Sequence, residues 1–264
     1  MMKDIESPVW SDGEKTTLSC EAFNCTGDVK VTWVIKLKDG TQHEVSDTGS
    51  NDNEEDQSLM SREYQVTKEH DRQKMKGHVT TKLTFIPSIS RYLGSTVSCR
   101  IVHQKKPVEK TFEVKTIHAK PKFVEPIQFT LSDHEKVEIS VKLQRFYPQE
   151  MEVTWFSKRG QSEEEIPEVM NNNHNSGDTF DLDSKCTVPG ELFKDPTYKV
   201  IVRWKHESME EPQSWEISAR DLPWHPKLQR FAIESIFQDD EVLLQCRVSD
   251  YFPNALAVKW FERI

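Results

Sequence analysis

The stretch ISVKLQRFYPQEMEVTW (residues 139–155) closes on the same spacing as LLQCRVSDYFPNALAVKW (residues 243–260). In the second stretch Cys246 precedes Pro253 by seven residues and Trp260 by fourteen; the same steps back from Pro148 and Trp155 both land on Val141. A phrase written twice points to internal repeats, and 264 residues leave room for two to three domains of about 100 residues each. Around the phrase, apolar and polar residues alternate. In KVEISVKL, Val137, Ile139, Val141 and Leu143 share one face and Glu138, Ser140 and Lys142 the other, which is a strand with one dry side. YKVIVRW aligns Tyr198, Val200, Val202 and Trp204 in the same way, and TTKLTFIP aligns Thr81, Leu83 and Phe85. Helical periodicity is hard to find, so the expected class is all-β, in tandem antiparallel sandwiches.

Two proline-bearing joins divide the strands into three groups. HAKPKF (residues 118–123) and RDLPWHPKL (residues 220–228) end strand pairing because proline has no backbone N–H to give. The expected domains are therefore 1–118, 119–221 and 222–264. The order recurs within each group: Cys20, Trp33 and Cys99 in the first, Val141, Trp155 and Val200 in the second, Cys246 and Trp260 in the third, which is truncated. A lone opening of a sandwich leaves an open edge and a half-covered core, so residues past 222 are expected to be unstable by themselves.

A formal net charge of −9 and a pI near 5.6 exclude a nucleic-acid binder, which needs clustered Lys and Arg to displace counterions from phosphates. No run of about 20 apolar residues exists to span a bilayer. The opening MMKDIESPVW has no apolar core of a signal peptide, so targeting and anchoring segments of the parent protein are expected outside this chain.

With these phrases in register, the chain resembles the immunoglobulin superfamily. A cysteine, a tryptophan 13 or 14 residues later and a second cysteine far downstream join two sheets across a buried indole in that fold. More closely, QRFYPQEMEVTW and SDYFPNALAVKW are similar to the B-to-C stretch of constant-type domains, CRIVH (residues 99–103) to the end of strand F, and SKCTVP (residues 184–189) to strand E. The resemblance covers two complete domains and the opening of a third. Tandems of this kind occur among signal-regulatory receptors, butyrophilin-like and costimulatory ligands, tapasin-like chaperones and antibody heavy chains.

The resemblance implies a Cys20–Cys99 disulfide, closing a loop of about 80 residues for which chain entropy gives roughly 4 to 5 kcal/mol. It implies core tryptophans at Trp33, Trp155 and Trp260. In the second domain Val141 and Val200 replace both cysteines, so matched β-branched side chains are expected to refill the sulfur volume around Trp155. Val97 stands where a tyrosine is usual, two residues before Cys99, whereas Tyr198, two before Val200, keeps the tyrosine corner. The 79-residue spacing from Cys20 to Cys99 places an exposed acidic loop at residues 46–59. Cys186 has the parity of Phe180, Leu182 and Val188 and reads as a small buried hydrophobe or an intermolecular bridge. Cys25 lies in the turn NCTGD, where exposure is expected, as a free thiol or bonded elsewhere; Cys246 lacks its partner strand. Asn24 opens an N-x-T acceptor for glycosylation in a secreted protein.

Motifs for chemistry are missing. HEKVE (residues 134–138) and HESME (residues 206–210) begin like a zinc-binding H-E-x-x-H but lack the second histidine. No G-x-S-x-G, glycine-rich phosphate loop or C-x-x-C occurs, SEEEIPE (residues 162–168) reads as a solvated turn, and KEHDRQKMKGH (residues 68–78) as an exposed connection. Trp10, Trp215 and Trp224 are expected to pack at the joins. Neither cofactor, metal, nucleic acid nor small-molecule substrate is expected, and no enzyme activity. The expectation is an extracellular module that binds another protein, such as an immune receptor, ligand or MHC-like molecule, at the cell surface. An assembly chaperone of the endoplasmic reticulum and a structural stalk are its alternatives.

Overall fold

Branched and aromatic residues on alternate positions build most of the strands, and among the described residues helix is confined to single turns. The computed structural model describes the chain except residues 26, 47–62, 72–76, 133–134, 229–236, 239–240, 243–245, 254–255 and 260–264. Most of the expected acidic loop at 46–59, the His134 of HEKVE and the core tryptophan Trp260 lie outside the described residues. The chain divides into two compact units. The first is Met1–Pro121 with Arg145–Glu150 and Asn175–Phe180; the second is Lys122–Gln144 with Met151–His174 and Asp181–Ile264. The third group therefore belongs to the second unit and does not form a unit of its own.

Among its described residues the first unit has seven strands: β1 (Thr16–Ala22), β2 (Val29–Lys36), β3 (Gln42–Ser46), β4 (Gln65–Asp71), β5 (His78–Phe85), β6 (Thr96–His103) and β7 (Lys106–Glu113). They form antiparallel sheets in the orders β1-β5-β4 and β3-β2-β6-β7. Before β1, Met2 and Glu6 bridge to Ala22 and Ser19, after which Ser11 runs parallel to His118. The opening segment thus leaves one sheet and joins the far end of the other. Inward residues such as Leu18, Trp33, Leu83, Val97 and Ile101 close a single core. Trp10 lies in that core and not at a join: it is 2% exposed and meets the rings of Phe85, Tyr92 and Phe112 at 5.2–6.4 Å. The first residues of KEHDRQKMKGH belong to β4, paired with β5, and are strand where a connection was expected.

The strands of the second unit are β8 (Lys122–Leu131), β9 (Lys136–Phe146), β10 (Met151–Arg159), β11 (Ser162–Glu165), β12 (Val169–Ser176), β13 (Thr179–Pro189), β14 (Tyr198–His206) and β15 (Gln213–Ser218), apart from residues 145–146 of β9, 175–176 of β12 and 179–180 of β13, which group with the first. Their sheet orders are β12-β13-β9-β8 and β11-β10-β14-β15. The dry faces follow the alternation, with Val137, Ile139, Val141 and Leu143 buried on β9 and Tyr198, Val200, Val202 and Trp204 on β14. SEEE is not a turn but β11, held by β10 in register Phe156↔Glu165 with every side chain exposed. Beyond Leu222, β16 (Lys227–Leu228) pairs with β19 (Val248–Ser249), and β17 (Phe237–Gln238) with β18 (Glu241–Val242).

The repeated phrase folds twice in the same local shape. Arg145 and Asp250, each three residues before a proline, have φ of 60° and 58°, and both following aromatic–proline bonds, Tyr147–Pro148 and Phe252–Pro253, are cis.

Candidate protein-binding surface

Each complete sandwich is pinned by a tryptophan that feeds a two-step hydrogen-bond relay. In the first unit Trp33 Nε1 on β2 donates to Thr81 Oγ1 on β5 at 3.0 Å, and that hydroxyl donates to the Thr67 carbonyl on β4 at 3.1 Å. In the second, Trp155 Nε1 on β10 donates to Ser184 Oγ on β13 at 2.8 Å, and Ser184 donates to Asn171 Oδ1 on β12 at 2.6 Å. A buried indole N–H without an acceptor costs about 1–3 kcal/mol, which explains why strand β13 keeps a serine at a wholly buried position.

Cross-strand register reassigns one position. Trp33 lies opposite Cys99, but Trp155 lies opposite Val202, with Val200 opposite Ser157. The residue standing in for Cys99 is therefore Val202, and Val200 corresponds to Val97 on the same count. The tyrosine corner is consequently absent from both units. Tyr198 is buried at 3% exposure, and its hydroxyl has no hydrogen-bond partner among the described residues. Burial, followed by the nearby Cys186, pushes its phenol up to about 12.

The structure holds all five cysteines as free thiols, so the disulfide expected between Cys20 and Cys99 is not formed in it. Both lie buried in the same core, where the Cys20 thiol donates to the Lys3 carbonyl at 3.9 Å. The influence of the neighbouring Cys99 thiol pulls Cys20 down from its ordinary range, and that of Cys20, with burial, pushes Cys99 up. Cys186 points inward, 1% exposed, and burial pushes it up to about 12. Cys25 is a correction: it is 8% exposed, not an exposed turn residue. Its N–H donates to the Gly77 carbonyl at 2.8 Å, and a Cβ on Gly77 would sit 2.7 Å from the Cys25 backbone, so the turn is pressed onto the start of β5. Cys246 is half-buried.

That pressed turn forms one wall of a pocket of about 210 Å³ at the end of the first sandwich, lined by residues including Met2, Phe23, Asn24, Cys25, Gln104 and Val108. Asn24, the sequon residue, is exposed at its rim with φ of 61°. The opposite wall is the tight hairpin between β6 and β7. Gln104 and Lys105, its two turn residues, take φ of 50° and 63°, the mirror-image turn that suits strand twist and is normally written Asn-Gly. For residues with a Cβ this left-handed backbone costs on the order of 1 kcal/mol each. Beside the pocket Phe23 stacks on His78 at 4.7 Å and lies under the Lys3 ammonium at 5.4 Å. Lys3 also pairs with Glu21 at 2.6 Å, which holds the Glu21 carboxyl below and the Lys3 amine above their ordinary values. Val108 stands 47% exposed on the outer side.

Sequence reasoning missed this patch, except for Asn24 and Cys25. The available signal was Phe23, an aromatic residue in a polar turn, and the unsuitable pair Gln104–Lys105 in a two-residue hairpin. Of the other tryptophans expected at the joins, Trp215 is 39% exposed and stacks on Phe123 of HAKPKF, which also stacks on Trp204, while Trp224 of RDLPWHPKL meets Phe252 edge-on. Among the described residues no three His, Cys, Asp or Glu side chains gather to hold a metal ion, and no helix is long and apolar enough to cross a membrane. Compared with known proteins, the chain matches no protein-family model and no curated protein.

Proposed function

We propose that this chain is a segment of an extracellular, multi-domain protein of the immunoglobulin superfamily and that it works by binding another protein through the loop end of its first sandwich. The observation that carries the reading is the hairpin at Gln104–Lys105. Two successive residues with side chains are held left-handed at the mouth of a part-apolar pocket, although Asn-Gly would make the same turn without strain. Tertiary support for an unfavourable turn is a mark of recognition sites built on rigid scaffolds. The repeated strand order and the twice-built tryptophan relay support the family reading. In an oxidising compartment the Cys20 and Cys99 thiols, buried in the same core, lose two protons and two electrons to a disulfide-exchange oxidant and close the inter-sheet bridge.

The test is binding of the tetramerised chain to cells that each display one membrane protein. The reading requires a saturable partner whose binding falls at least tenfold with Val108→Asp or Lys105→Glu, while Gln104→Asn with Lys105→Gly preserves the fold. Asn24 lies at the same rim, so glycosylated chain binds more weakly than Asn24→Gln. Partners that bind equally well to all variants would place recognition elsewhere.

A further inference from the structure

Among the described residues four strand edges end the two four-stranded sheets of the second unit, and three of them carry a device against pairing with another strand. On β8 the ladder to β9 breaks register between Val124 and Gln128, around Pro126. Strand β11 is four residues long and carries three glutamates. Strand β15 follows Pro212 and has Glu216 paired with Lys199. Such interruptions and charges keep exposed ladders from extending into a neighbour.

Strand β12, VMNNNHNS, has none of them. Over its eight residues there is no proline, glycine, lysine, arginine, aspartate or glutamate, and every side chain after Val169 is exposed, Met170 to 63%. It is the end strand of its sheet. Its register on β13 is fixed from inside by the Ser184 hydroxyl bound to Asn171. Its one ionisable side chain, His174, lies 3.2 Å from Asp183, which also meets Lys142 at 3.3 Å, so the charge next to the edge is compensated.

We infer that residues 170–174 of β12 form a self-association edge, pairing antiparallel with the same strand of a second copy of this chain. The occupant follows from the strand's chemistry. A two-fold axis centred on Asn172 sets Asn172 opposite its own counterpart and Asn171 opposite Asn173, so the partner of each of these carboxamides is another carboxamide. Each amide carries donor and acceptor together, so the pairing is self-complementary without matched charges, and no like charges meet. Two four-stranded sheets then join into one. A single strand edge buries less than a standard interface of about 1,600 Å², so the dimer is weak and concentration-dependent. The inference is independent of the loop-end reading, which concerns the first unit.

Sedimentation equilibrium of the full chain over a wide concentration range tests it. The average mass is expected to climb from 30.8 kDa toward twice that value. Asn172→Lys brings two like charges across the axis and weakens association about tenfold or more. Asn172→Glu does the same, and mixing the two variants restores association as a one-to-one heterodimer. Circular dichroism melts that match the parent chain establish that both variants are folded. A mass fixed at 30.8 kDa at every concentration overturns the proposal and leaves the edge to a strand of a different protein. A dimer indifferent to both substitutions overturns it as well, because association then uses another surface.

Discussion

The two complete sandwiches solve the same packing problem with different atoms at the inter-sheet contact. In the first, Cys20 and Cys99 are buried thiols, with Cys99 opposite Trp33; in the second, Val141 and Val202 are buried in their stead, with Val202 opposite Trp155. The relay from indole to hydroxyl to the next strand is common to both, down to the strands that supply each member. The difference teaches which part of the device is replaceable. Sulfur volume can be exchanged for methyl groups at small cost, whereas the buried N–H needs an acceptor in every version.

The largest effect expected is loss of either indole. Trp33→Ala and Trp155→Ala each remove a wholly buried ring and should each cost about 3–5 kcal/mol in urea unfolding, monitored separately for the two units. Near-equal costs support a shared device. A cost below about 1 kcal/mol in one unit would show that its core closes without the indole and would end the comparison.

Next comes an attempt to make the second unit resemble the first. Val141→Cys with Val202→Cys should oxidise to a bridge that stabilises the unit by at most about 4 kcal/mol for a loop of this length, less any strain. Val141→Cys with Val200→Cys should remain reduced, because Val200 lies two residues along β14 from the position that faces Trp155. Mass spectrometry with and without reductant separates the two pairs, and a bridge through residue 200 would restore the assignment that spacing alone suggests.

Spacing makes that error for a physical reason. The dry faces of β9, β14 and β5 were legible because a strand shows its period in four residues, and Cys186 followed from the same parity. The identity of the residue opposite a tryptophan depends on the pairing of strands some 50 residues apart, and nothing local in YKVIVRW marks Val202 over Val200. SEEE hid as a strand because an edge with exposed residues on both faces has no alternation to display, and KEHD because all four of its residues are polar. The loop-end pocket was equally hidden, since its walls come from residues 1–2, 22–25 and 101–108 and meet only after the sheets form. Cys25 was misjudged because a polar turn normally faces water, and only the missing Cβ of Gly77 lets this one press inward.

Removing one hydroxyl sharpens the comparison further. Ser184→Ala leaves the Trp155 N–H buried without its acceptor and should cost about 1–3 kcal/mol; Thr81→Val, which keeps the shape, should cost a similar amount through Trp33. The acceptors at the end of the relay differ. Thr67 supplies a main-chain carbonyl that no substitution removes, whereas Asn171 supplies a side chain, so Asn171→Leu should destabilise only the second unit.

The smallest effect distinguishes the units by pH. Cys186 and Tyr198 titrate from ordinary values of 9.0 and 10.0 to about 12 in the folded second unit, in both cases chiefly because burial disfavours the anion. Raised values mean that the folded state holds the proton longer than the unfolded chain. The resulting stability is complete below pH 9 and is lost as pH rises from there through about 12. Cys186→Val keeps a small apolar group in the site and removes the thiol's share. The alkaline loss should then begin nearer pH 10, where unfolded tyrosine starts to ionise, and urea midpoints of the second unit measured between pH 8 and 11 will show the shift. An unchanged alkaline profile would mean that the thiol does not gain its proton affinity from burial on β13, and the inward placement of Cys186 would fall with it.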